Sequence, residues 1–292
     1  MPEELHDLVA AELAEPVDPR VVDMAAAIAA RYGEAARAVL FYGSCLRREQ
    51  FEGLMIDFYL IVSDYREAYE KRWLAAANRL IPPNVFYFEH GGLASKYAVL
   101  SEADFAKFCS ALAPDVSVLA RFAQPSRLVW HSDRAAADKV VDAVTEAPRV
   151  LAAMTSPMVQ NGDPLDLWRR AFELTYSTEL RAERKEQPGS IVDQFPDYYE
   201  RLSQAVGVEG RVTSATAAAA STWKRYRSRG KRAQILRLAK ATATFAGGID
   251  YIAWKINRHA GTNIEIRPWQ RRWPLLAAIS LLPRLLRSGA VR

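Results

Sequence analysis

The chain has 292 residues, half of them hydrophobic, with 39 Lys/Arg against 34 Asp/Glu. That length and apolar content suit a globular protein of two domains with room for an appendage, and exclude a disordered chain or a small disulfide scaffold. The charge is divided, since residues 222–292 hold 16 Lys/Arg and 2 Asp/Glu, whereas residues 1–221 hold 23 and 32. A basic end on an acidic body implies a polyanionic partner, either anionic lipid or nucleic acid.

In chain order, the N-terminus is acidic (Glu3, Glu4, Asp7, Glu12, Glu15) and lacks the charge order of a signal peptide or a mitochondrial presequence. Residues 19–32 have helical spacing, with Asp18-Pro19 as a start signal. Ala36–Tyr42 and Met55–Val62 are apolar runs of strand type, separated by the Gly43-Ser44 turn and a short helix. Tyr65–Leu80 reads as one helix closed by Pro82-Pro83. Asn84–Phe88 and Lys96–Leu100 read as strands joined through Gly91-Gly92. Residues 1–130 are thus expected to form a small mixed sheet flanked by helices, in an α+β fold. Residues 102–125 are mainly helical. Helices at 133–144, 164–185 and 194–206 make a second, helical or winged-helix-like domain over 131–221, and the Ala-rich stretch 214–220 is a helix or a linker. The two cysteines and four histidines show no metal spacing, so no zinc site is expected. Cys45 reads as a small packing residue.

Chemistry concentrates in residues 39–64. An apolar strand ends in Gly43-Ser44, a spacer follows, and a second apolar strand opens on Asp57. Glycine permits close backbone approach, and amides at the start of the following helix suit phosphate. A carboxylate on the neighbouring strand can hold Mg²⁺ against that phosphate. Such an arrangement suits a nucleotidyltransferase, although the second acid of the usual Asp-x-Asp is replaced by Tyr59. An ionised Asp57 among Met-Ile and Phe-Tyr-Leu-Ile-Val is costly to bury without a partner, which favours a cation. Asp64 either joins the metal site or caps the next helix. Glu89 is either a further ligand or a solvated strand end. Lys96 is either an edge residue or a phosphate ligand, and Arg121 either snorkels from a helix or reaches phosphate.

The strings Met55-Ile-Asp-Phe-Tyr-Leu-Ile-Val-Ser-Asp64, Ser95-Lys-Tyr-Ala-Val-Leu-Ser101, Arg121 with Pro125, Leu174-Thr-Tyr-Ser-Thr-Glu-Leu-Arg181 and Phe245-Ala-Gly247 occur in that order. Together they resemble the mitochondrial translocator-assembly-and-maintenance family of phosphatidate cytidylyltransferases and its bacterial relatives, over residues 36 to 260. Departures are Cys45, Ala98, Gln124 and Glu179, where the family has Gly, Gly, Lys and Asp. The resemblance implies a peripheral enzyme on the inner face of a bacterial cell membrane. It would make CDP-diacylglycerol from CTP and phosphatidate with Mg²⁺. Catalytic roles are expected for Asp57, Lys96 and Arg121, nucleotide contacts from Tyr42, Gly43, Ser44, Glu179 and Arg181, and a metal held by Asp57 with Asp64 as the candidate second ligand. Other acceptors (a different phospholipid, RNA, a small alcohol) and an inactive nucleotide- or lipid-binding module stay open.

At the basic end, Arg232–Arg258 places Arg237, Lys240, Lys255 and Arg258 on one arc, with Ile235, Ala239 and further apolar residues opposite. Trp273 then leads into a short cationic amphipathic run, with Leu275, Ile279 and Leu282 in one stripe, Leu276 beside it and Arg284 on the other face. This pattern suits a helix lying in a membrane interface. The competing reading is a helix packed on the core. No nucleic-acid signature accompanies the charge, so no nucleic-acid partner is expected.

Overall fold

The computed structural model describes residues 2–48, 51, 54–159, 163–178, 190–207, 216–244 and 265–269. Helix α1 (Pro2–Ala14) is followed by α2 (Pro19–Ala30), whose cap is the Asp18 carboxylate accepting from the Arg20 N–H. After a 3-10 turn come β1 (Ala36–Tyr42), α3 (Ser44–Arg48) and β2 (Met55–Val62). Two short helices, α4 (Tyr65–Ala68) and α5 (Arg72–Leu80), precede the hairpin of β3 (Asn84–His90) and β4 (Leu93–Ser101). Then follow α6 (Glu102–Phe108), α7 (Ser117–Phe122) and β5 (Arg127–His131). Five more helices complete the described chain: α8 (Arg134–Thr155), α9 (Pro164–Tyr176), α10 (Ser190–Gln194), α11 (Pro196–Val206) and α12 (Thr216–Thr244).

The fold is α+β, as expected. Its sheet is mixed, in the order β3-β4-β2-β1-β5, with β2 and β4 parallel and the other pairs antiparallel. Alternation along each strand sends side chains to two faces. One face carries Ala38, Leu40, Tyr59, Ile61, Ala98 and Leu100, covered by residues of α1, α6, α7, α8, α9 and α11. The opposite face carries Val39, Phe41, Phe58, Leu60, Tyr97 and Val99, covered chiefly by Val21, Met24, Ala25 and Ile28 of α2.

Two expectations are corrected. Tyr65–Leu80 is not one helix, because Tyr69 is extended (φ −128°, ψ 122°). Its buried ring packs edge-on against Tyr32 at 6.1 Å and beside Phe86 at 6.0 Å. Helix α9 ends at Tyr176, not 185. One buried cluster runs from Leu5 to Trp223 and joins the first sheet face to the later helices. Helix α1 and strand β5 are additional. The spacing of Leu5, Leu8, Val9 and Leu13 is the sequence signal for the first, and the Leu128-Val129-Trp130 run is the signal for the second.

Helix α12 inverts the polarity that its sequence suggests. It carries eight Lys/Arg and no acid. An amphipathic reading turns Arg237 and Lys240 to solvent, yet both face inward. Arg237 donates to Asp115 Oδ2 at 2.7 Å, to the Pro82 carbonyl at 2.7 Å and to Ser117 Oγ at 3.2 Å. Lys240 donates to the carbonyls of Ile81 and Pro83. Burial, and then the Arg237 charge, pull the Lys240 ammonium down to about 7. Ile235 and Leu236 are instead 45% and 52% exposed. The physical reason is a buried carboxylate and a turn whose carbonyls face the helix, which attract cations more strongly than aliphatics. Nearer its start, α12 crosses the end of α9 so closely that a Cβ on Gly230 would lie 2.9 Å from the Thr178 carbonyl oxygen.

No helix among the described residues is long and apolar enough to cross a membrane. The interfacial segment with Trp273, Leu275, Leu276, Ile279, Leu282 and Arg284 lies outside the described residues, as do Lys255 and Arg258.

Candidate active site

The site grows out of one row across the sheet. Strand pairing sets Tyr42 opposite Asp57, Asp57 opposite Lys96, and Lys96 opposite Tyr87. Paired residues share a face, so all four side chains leave the sheet on the side of α7 and α12. At the end of β1 the chain turns at Gly43, with φ +92°, into α3. That conformation favours glycine, and a Cβ there would meet Asp57 Oδ2 at 3.0 Å. The carboxylate therefore lies directly over the Gly-Ser turn. Gly43→Ala should cost about 1–2 kcal/mol in backbone strain and push Asp57 off the turn. Denaturant unfolding would show the first effect.

Lys96 Nζ lies 3.0 Å from Asp57 Oδ1, with the side chains 33% and 18% exposed. Oδ1 is nevertheless a buried oxygen without a hydrogen-bond partner, because the ammonium approaches off the hydrogen-bonding direction. The distance decides the electrostatics, and the pair is ionic. Arg121, at the end of α7, donates to the Ser117 carbonyl at 2.5 Å and to the Tyr42 phenol. Burial pushes the Tyr42 phenol well above its ordinary value, the Asp57 charge adds to that, and Arg121 opposes it. Tyr59 is two residues beyond Asp57 on the same face. Its ring packs at 5.2 Å from both Tyr42 and Phe122, so an aromatic wall stands where a second acid would project. Burial raises its phenol, with Arg121 and Arg237 opposing.

The fold brings Tyr42, Gly43, Ser44, Asp57, Lys96 and Arg121 together. Asp64 does not join them. It stands seven residues beyond Asp57, roughly 23 Å along an extended chain. There its carboxylate accepts the Arg66 N–H at 2.7 Å as the cap of α4, with Arg79 at 3.6 Å. The cap, not the metal, accounts for it. Glu89, next to last in β3, is exposed and accepts from the Tyr87 hydroxyl. Glu179 and Arg181 lie outside the described residues, which resume at Ser190 after Thr178. Cys45 is buried and donates weakly to the Met55 carbonyl at 3.4 Å, a packing role.

Two residues escape sequence reasoning. Tyr87 enters the row only through the register that the Gly91-Gly92 hairpin sets. Asp115 lies behind Tyr59 and has no motif, its one signal being the local Asp115-x-Ser117 turn, where its carboxylate accepts the Ser117 N–H at 2.9 Å.

Asp57 fits a divalent ion as a partial ligand. One oxygen is buried without a hydrogen bond and the other faces the turn. Among the described residues no group of three His, Cys, Asp or Glu forms a complete cage. That donor set suits Mg²⁺, which is commonly bound through one or two carboxylates plus phosphate oxygens and water. Compared with known proteins, the chain matches no family model and no curated sequence.

Proposed function

We propose that the protein is a metal-dependent nucleotidyltransferase, a phosphatidate cytidylyltransferase acting at an anionic membrane surface. The observation that carries this reading is the convergence of Asp57, Lys96 and the Gly43–Ser44 turn at neighbouring strand ends. The choice of CTP and phosphatidate rests on the motif resemblance. The nucleotidyltransferase character of the sheet domain belongs to the same proposal.

In this scheme the lipid phosphate is already anionic and needs little general-base help. Its oxygen bonds to the α-phosphorus of CTP while the bond to the β-phosphate oxygen breaks, and pyrophosphate departs. The Gly43–Ser44 backbone holds the β- and γ-phosphates. Lys96 neutralises charge on the reacting phosphate, and Arg121, oriented through Tyr42 and the Ser117 carbonyl, supplies a second positive charge. Asp57 orients the nucleotide against the turn. A divalent ion bound there would polarise the α-phosphate and stabilise the leaving pyrophosphate.

The outward side of α12 supports an anionic partner. Lys224, Arg225, Arg227, Arg229, Lys231 and Arg232 are exposed there, followed by the exposed Ile235 and Leu236. Each cation near an anionic leaflet contributes about 1 kcal/mol, and aliphatics beside them suit a bilayer better than nucleic acid. Peripheral attachment to the inner face of a cell membrane follows from this reading.

A second reading is a nucleotide- or lipid-binding module without turnover, favoured by Tyr59 filling the place of the second acid. One assay separates the two. Each labelled NTP is incubated with phosphatidate vesicles, with and without Mg²⁺. CDP-lipid formed from CTP only with Mg²⁺ is the expected result. Absence of product from every nucleotide overturns the enzyme reading, and product from a different acceptor changes the substrate.

A further inference from the structure

We propose that Arg237, on α12, is a positioning residue that holds Arg121 on the candidate active site through Ser117. This rests on reading Arg121 as a cation that meets the reacting phosphates.

Arg121 stands near the end of α7, a helix of six residues. A helix that short is not stable by itself, so its place is set by what grips it. Its first residue is Ser117, and Val116 before it gives no side-chain cap. The grip comes from Asp115 and from α12. The Ser117 N–H donates to Asp115 Oδ1 at 2.9 Å. The Ser117 hydroxyl accepts Arg237 Nη1 at 3.2 Å, and Arg237 Nη2 donates to Asp115 Oδ2 at 2.7 Å. One guanidinium therefore spans the carboxylate and the serine at which the helix starts. Its Nε donates to the Pro82 carbonyl at 2.7 Å, which ties the same arm to the turn before β3. A planar fork of this kind fixes direction as well as distance, which an ammonium does not.

The Ser117 carbonyl continues the line. It accepts Arg121 Nη1 at 2.5 Å, and Arg121 also donates to the Tyr42 phenol, the residue paired with Asp57. Hydrogen bonds thus run from Arg237 to Ser117, from Ser117 to Arg121, and from Arg121 to Tyr42. Both guanidiniums also act on the Tyr59 phenol, so both lie near the ring that fills the place of a second acid. Without Arg237 the start of α7 loses its tie to α12 and to the Pro82 turn, and a displacement there passes to Arg121. A misplacement of about 1 Å in catalytic machinery can cost about 10²-fold in rate.

The test uses the full chain labelled with ¹³Cζ-tyrosine. Its Tyr42 signal, assigned with Tyr42→Phe, reports the Arg121 hydrogen bond without any substrate. Arg121→Ala should move that signal and supply the reference displacement. Asp115→Leu combined with Arg237→Leu replaces the buried pair by apolar side chains, which spares stability, yet it should move the Tyr42 signal in the same direction. In turnover with CTP and phosphatidate vesicles this double variant should lose about 10²-fold in kcat, with the KM for CTP little changed. Added to Arg121→Ala, it should cost little more, because the two act as one unit. A Tyr42 signal or a kcat left at the wild-type value in the folded double variant overturns the positioning role and leaves the nucleotidyltransferase reading standing. So does a loss that adds in full to that of Arg121→Ala. An unmoved signal in Arg121→Ala overturns the proposal at its last contact. A displaced signal beside a wild type that turns over no nucleotide overturns the enzyme reading and leaves the line of contacts in place. Should the double variant not fold, Ser117→Ala decides, since it cuts only the hydroxyl that accepts Arg237: the Tyr42 signal should move as in Arg121→Ala, and an unmoved signal overturns the proposal.

Discussion

Asp57→Asn is expected to lower CDP-lipid formation by about 10³-fold, the scale on which loss of one preorganised electrostatic contact reduces turnover. The substitution keeps the shape of the side chain and removes its charge. Lys96 is one-third exposed, so its ammonium can reach water, and the stability change should stay below about 1 kcal/mol. Turnover assays on vesicles, thermal unfolding and vesicle co-sedimentation therefore give a distinct pattern. Activity should collapse while unfolding temperature and vesicle binding hold. Retained turnover in the folded variant would remove Asp57 from the chemistry.

Asp115→Ala is expected to have the largest effect on stability. Its carboxylate is 6% exposed and meets Arg237 Nη2 at 2.7 Å, with Arg237 18% exposed. Removing one partner of a buried pair leaves an uncompensated charge and costs about 3–5 kcal/mol. Leucine at both positions should recover much of that loss. Chemical denaturation of the single and double variants measures both quantities. A pH dependence follows as well. Burial pushes the Asp115 carboxyl up, but the Arg237 charge and the hydrogen bonds from Ser117 and Arg237 outweigh it, so the net shift is downward. The unfolded chain then takes up the proton first as pH falls. The contribution is complete above the ordinary carboxylate value of 3.8 and is lost as pH drops through the lower folded value. An Asp115→Ala variant should lack that acid-side decline.

The parts of this molecule legible in its sequence are those governed by local rules. β1 and β2 coincide with their apolar runs, and α2 begins at its Asp-Pro signal, because β-branched runs and caps act over a few residues. The Gly43–Asp57 approach was legible for the same reason, since a glycine before a short helix and an acid on the returning strand are joined by one hairpin-like excursion. Long-range terms decided the rest. Tyr69 broke a good helical pattern because its ring had a core to enter. Helix α12 turned Arg237 and Lys240 inward because Asp115 and the carbonyls of residues 81–83 were waiting there, more than a hundred residues away in sequence. Asp64 was ambiguous by spacing alone and was resolved only by the helix it caps.

The Asp57–Lys96 pair also acts on the assembly of the sheet. β2 and β4 form its parallel junction, and parallel neighbours lack a tight turn to set their alignment. Were they to slip by a single position, Lys96 would pass to the opposite side of the sheet. Asp57 would then lose the ammonium that now lies 3.0 Å from its Oδ1. The two charges of the proposed site thus double as a proofreading mark for strand alignment, because a slipped chain separates the pair that the assembled sheet joins.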